Sequence, residues 1–110
     1  MSLDIRFIAR KNILCPHCGE VVTTEDVDCV DSGGRGWYPI LESLGYYVPY
    51  DQRTEENDWY GKDMGLTMEQ AHMVYGFIAK NPDLYGARAV KSLIAFAEFE
   101  GCDVIVNADW

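Results

Sequence analysis

Apolar and polar residues alternate at the start of the chain. Ile5, Phe7 and Ala9 are separated by Arg6 and Ile8 and followed by Arg10, the period-two pattern of a strand with one buried face. Arg10-Lys11-Asn12 is polar and reads as a turn, after which Ile13-Leu14 leads into Cys15-Pro16-His17-Cys18-Gly19. Glu20-Val21-Val22-Thr23-Thr24 is rich in β-branched side chains, whose stiff χ1 favours strands. Asp26-Val27-Asp28-Cys29 alternates again, with Val27 and Cys29 on one inward face, and Ser32-Gly33-Gly34-Arg35-Gly36 breaks the chain. The first third therefore predicts a small antiparallel meander with the cysteine turn at one end.

Farther on the period changes. Residues 37–44 predict a short helix, with Pro39 suited to its first turn and Gly45 to its stop. Residues 46–64 carry Tyr46, Tyr47, Tyr50, Trp59 and Tyr60 among many charges, show no clean period and read as a long ordered loop. Thr67-Met68-Glu69-Gln70 has the spacing of a capping box. The helix it opens sets Ala71, Val74, Phe77 and Ile78 on one stripe and runs to about Lys80, where Asn81-Pro82 ends it. A second long helix over 87–100 puts Val90, Leu93, Ile94 and Ala97 on its inner face, and Gly101 stops it. Asp103-Val104-Ile105-Val106-Asn107 reads as a closing strand, apolar on both faces and therefore central in the sheet. This order predicts an α+β fold: a small antiparallel N-terminal sheet with a Cys-x-x-Cys knuckle, two to three helices and a closing C-terminal strand. At 110 residues, 48% of them hydrophobic, the chain has the size of one domain, 1–110.

Charge narrows the functional classes. The 18 acidic residues outnumber the 9 basic ones, and a net charge of −9 repels phosphate backbones, which works against DNA or RNA as a partner. The acidic residues gather at Glu25-Asp26-Val27-Asp28 with Asp31 and again over 51–58. Solvated, solubilising surfaces are the plain reading; the sharper one is an acidic decoy that binds a basic partner. No stretch approaches the roughly 20 apolar residues of a membrane span. Met1-Ser2-Leu3-Asp4-Ile5-Arg6 lacks the apolar run of a secretory signal, so a cytoplasmic protein is expected. Thiols stay reduced in that compartment, which favours metal ligation or redox chemistry over a structural disulfide for the cysteine pair.

A tight turn between two cysteines aims both sulfurs at one point, and zinc takes thiolates at about 2.3 Å in a tetrahedron. Cys15-Pro16-His17-Cys18-Gly19 resembles the rubredoxin-type knuckle of zinc-ribbon proteins, as a half site: the second Cys-x-x-Cys of those families is missing. Cys29 and Cys102 are the candidates to complete a zinc site of Cys15, Cys18, Cys29 and Cys102, with His17 or His72 as substitutes. Against that stand Cys29 and Cys102 as small buried hydrophobes, His72 as a helix-surface residue, and a knuckle that holds no metal. Cys-Pro-His-Cys is also the active-site motif of DsbA-like thiol oxidants, in which the first cysteine opens a helix; here glycine and a strand-like composition follow. In size, acidity and its solitary knuckle the chain resembles small bacterial and prophage-type proteins.

Other features carry less. The glycine run at 33–36 lacks the ending of a phosphate-binding loop and reads as a flexible turn. The aromatic loop, with Trp59-Tyr60-Gly61-Lys62-Asp63, reads first as core cover and second as a recognition surface. His17 and His72 are the chain's two histidines, and no nucleophile–base or paired-carboxylate spacing stands out. The expectation is a non-enzymatic interaction module acting through a protein partner and stabilised by zinc at Cys15 and Cys18. The alternatives are a thiol–disulfide oxidoreductase using the same pair and the acidic decoy; oligomeric state stays open.

Overall fold

The first alternating run does not stop at Lys11. In the computed structural model, which describes residues 3–110, β1 (Asp4–Leu14) and β2 (Val21–Gly33) are single long strands. Met1 and Ser2, part of the segment read above for a secretory signal, lie outside the described residues. The N-terminal third is thus a hairpin of two strands, not the meander with a turn at Arg10-Lys11-Asn12. The physical reason is a bulge. Arg10 lies opposite Asp26 while Ala9 lies opposite Asp28, which leaves Val27 as an extra residue and resets the alternation. Beyond it Lys11 pairs with Glu25 and Asn12 with Thr24, polar against polar, so the strand continues where its composition resembles a turn. Val27 and Cys29, expected to face inward, are both exposed.

β4 (Asp103–Asp109) runs antiparallel to β1, from Asp103 opposite Arg10 to Asp109 opposite Asp4. β3 (Met64–Leu66) pairs with its other side, giving the order β2-β1-β4-β3. The central place of β4 agrees with its apolar run. β3 sits inside the segment read as loop; three residues around Gly65 are too few to display a period.

A turn of 3₁₀ helix (Arg35–Trp37) runs into α1 (Tyr38–Ser43), which has Pro39 in its first turn. α2 (Met68–Lys80) opens with the expected capping box: Gln70 N donates to Thr67 Oγ1 at 3.1 Å, and Thr67 N donates to Gln70 Oε1 at 2.9 Å. α3 (Ala87–Glu100) ends at Gly101, whose φ of +72° suits glycine and lets Cys102 N donate to Ala97 O at 2.8 Å. Among the described residues, no helix is long and apolar enough to cross a membrane.

The helices cover one face of the sheet. Ile5, Phe7 and Ala9 of β1 and Val104, Val106 and Ala108 of β4 join Val74 and Ile78 of α2 and Val90, Leu93, Ile94 and Ala97 of α3 in one core. Trp37 is fully buried there, its ring centroid 5.5 Å from Phe7 and 6.3 Å from Phe77. Its Nε1 donates to Tyr85 O at 3.3 Å, an oxygen that also accepts from the Ser32 hydroxyl.

Tyr46 fastens the aromatic segment. Its buried hydroxyl donates to Lys62 O at 2.6 Å and accepts from Ala108 N at 2.7 Å, while its ring meets Trp110 edge to face. Burial is the main cause that raises the Tyr46 pKa above that of an ordinary tyrosine, against the opposing pull of its backbone hydrogen bonds. Tyr46→Phe leaves an amide and a carbonyl without their partner and is expected to cost about 1–3 kcal/mol in urea unfolding at neutral pH. The folded state holds the phenol proton more tightly than the unfolded one. That contribution is fully present below the ordinary tyrosine value of about 10 and is lost as pH rises through the folded value. The wild type should therefore lose its margin over the Phe variant in alkaline unfolding titrations; a margin that stayed constant with pH would remove Tyr46 as the cause.

Candidate metal-binding arm

β4 ends its pairing with β1 at Arg10, but β1 and β2 continue together. Lys11, Asn12, Ile13 and Leu14, opposite Glu25, Thr24, Thr23 and Val21, form a two-stranded arm that reaches roughly 13 Å past the shared sheet at 3.3 Å per residue. Its side chains are largely solvated: Leu14 is 55% exposed, Val21 54% and Val22 63%.

The knuckle is the tip of this arm. Cys15 N donates to Glu20 O at 2.7 Å and Gly19 N donates to Cys15 O at 2.9 Å, closing the turn. Gly19 has φ +73°, a left-handed conformation that a side chain would strain. The turn places Cys15 and Cys18 near each other at the end of the arm. The His17 amide, then the Cys18 amide and the Cys18 thiol, hold the Cys15 pKa below that of an ordinary thiol, against a small opposing effect of desolvation. Two sulfurs converging beside amide donors form a place where negative charge on sulfur is favoured.

The other expected ligands lie elsewhere. Cys29 is exposed on β2 opposite Ile8, seven positions before Cys15 along β1, an offset of roughly 23 Å. Cys102 is buried in the core between α3 and β4. His17 is exposed in the turn itself, and His72 stands on α2 with its Nε2 3.2 Å from Glu98. Cys15 and Cys18 are thus brought together, while the expected set of Cys15, Cys18, Cys29 and Cys102 is not assembled. Among the described residues no group of three or more His, Cys, Asp or Glu is placed to hold a metal ion. The correction follows from the hairpin. Cys29 is expected inward on a separate strand beside the knuckle, but β2 runs unbroken from Val21 to Gly33, carries Cys29 away from the tip and leaves it exposed. After Cys18 the chain enters β2 rather than a helix, so no helix dipole acts on the pair.

The first acidic cluster lines β2, the edge of the sheet. Two of its carboxylates pair with arginines: Arg10 Nε donates to Asp26 at 2.7 Å and Arg6 Nε to Asp31 at 2.6 Å. On the sheet face away from the helices, Asp4, Arg6, Asp31, Asp63, Asn107 and Asp109 border a shallow depression of about 450 Å³. Asp63 accepts there from Asn107 at 2.8 Å and more distantly from Arg10 at 3.4 Å. Sequence reading missed both this grouping and the arm. Asp4 and Arg6 alternate on one strand and Asn107 and Asp109 on another, but only the β1–β4 register joins them. The signal for the arm was polarity on both faces of residues 11–12 and 23–26.

Comparison of the chain with protein-family models, with curated proteins and with solved structures finds no match.

Proposed function

We propose that this chain is a non-enzymatic interaction module whose working element is the β-hairpin arm, with zinc bound by Cys15 and Cys18 at its tip. The observation that carries this reading is the convergence of two thiols in a closed turn at the exposed end of an arm. An isolated two-stranded hairpin is marginally stable in water, and a metal ion at the turn supplies what packing does not supply there. Zinc so placed orders the arm rather than the core. The net charge of −9 favours a protein partner over nucleic acid.

The same closed turn favours a second reading, thiol–disulfide exchange: it holds two cysteines near each other, and its backbone amides keep the Cys15 pKa below that of an ordinary thiol. One pair of assays separates the two. In a competition against a chromophoric chelator, the reduced protein is expected to take up zinc, and in an insulin-reduction assay with dithiothreitol it is expected to add nothing to the uncatalysed rate. Accelerated insulin reduction without zinc uptake would replace the metal-binding module by an oxidoreductase.

A further inference from the structure

Two thiolates leave a zinc ion two ligands short of its tetrahedron. We infer that the missing half is the same turn of a second copy, so that one zinc is held tip to tip by Cys15 and Cys18 of two chains. This rests on the zinc-binding reading above and adds the partner to it.

Within one chain the remaining cysteines do not serve: Cys29 lies roughly 23 Å along the strands and Cys102 is enclosed in the core. A second copy supplies two thiolates in the same geometry, and a two-fold axis through the metal closes the assembly at a dimer. Four thiols and one zinc ion give a four-thiolate zinc centre of charge −2 and four released protons, with no oxidant or reductant involved.

The charge pattern selects the tip as the point of contact. Residues 12–24 carry a single charged side chain, Glu20, whereas the whole chain carries −9. Two such chains repel one another least when they meet through this segment. The arm also holds the acidic bodies apart by more than the screening length of about 8 Å at physiological salt. Leu14, Val21 and Val22 beside the turn are exposed in the single chain, and a tip-to-tip arrangement gives them apolar neighbours.

The test is a zinc titration of the full chain under a non-thiol reductant, followed by light scattering. Uptake should end at one zinc per two chains as the mass doubles from 12.5 kDa, and a chelator should reverse both. Cobalt in place of zinc should give the charge-transfer absorption of four thiolates. Cys15→Ser with Cys18→Ser should stay monomeric and take up no zinc. Val22→Glu keeps both cysteines but sets like charges beside the two-fold axis, and should weaken zinc-dependent dimerisation at least about tenfold. One zinc per chain on a monomer would overturn the shared site and leave the zinc-binding reading intact. No zinc uptake by the wild type would overturn both, and a dimer that persists in the double serine variant would overturn the shared site.

Discussion

Trp37→Ala is expected to lower the unfolding free energy by about 3–5 kcal/mol, the range for deleting a large aromatic side chain from a core. Trp37 is fully buried between Phe7 of the sheet and Phe77 of α2, so its removal opens a cavity where sheet and helices meet. The lost hydrogen bond adds little, because Tyr85 O keeps the Ser32 hydroxyl as a donor. For a chain of this length the change corresponds to a fall in melting temperature of roughly 10–20 °C. Total stabilities of single domains lie at about 5–15 kcal/mol, so the variant should be partly unfolded at 37 °C. Thermal and urea unfolding by circular dichroism measure it; a loss below about 1 kcal/mol would remove Trp37 from the centre of the core.

The opposite is expected at the tip. Cys15→Ser with Cys18→Ser should reduce zinc affinity by at least about a thousandfold, since both thiolates are removed from a metal whose structural sites are worth about 10–16 kcal/mol. In chelated buffer the same variant should melt within about 2 °C of the wild type, as solvent-facing substitutions usually change stability by no more than about 0.5 kcal/mol. Sequence reading tied the knuckle to the stability of the whole fold. Its position on the arm uncouples the two, because the core closes without it. Thermal scans with chelator and amide exchange over residues 11–25 with zinc check both halves. A fall of many degrees in the chelated double variant would mean that arm and core melt as one unit.

The helices were legible because their signals are local. Thr67 and Gln70 lie three residues apart, and Gly101 follows directly on an amphipathic run; the structure needs nothing distant to realise either. The convergence of Cys15 and Cys18 was legible for the same reason. Strand ends were not. Val27 as a bulge residue depends on which partner lies opposite, and the length of the arm depends on where β4, some ninety residues later, begins. β3 has three residues and owes its existence to the edge that β4 offers. The expectation that Cys29 approaches the knuckle failed on the same ground: alternation assigns faces within a strand, but only register assigns neighbours.

The register that leaves β2 at the edge of the sheet also gives the chain an open template thirteen residues long. Identical molecules can stack on such a border and grow into fibrils. Along β2 the border is guarded: Glu25, Asp26, Asp28 and Asp31 would place rows of like charge along any growing stack. Two of these sentinels are tethered to arginines of the neighbouring strand and keep their place at the rim. The longest uncharged stretch of β2 is residues 21–24, at the end of the arm. The acidity that says so little about chemistry thus has a colloidal meaning. It keeps copies of the chain dispersed along their length and leaves a single short stretch through which they can meet.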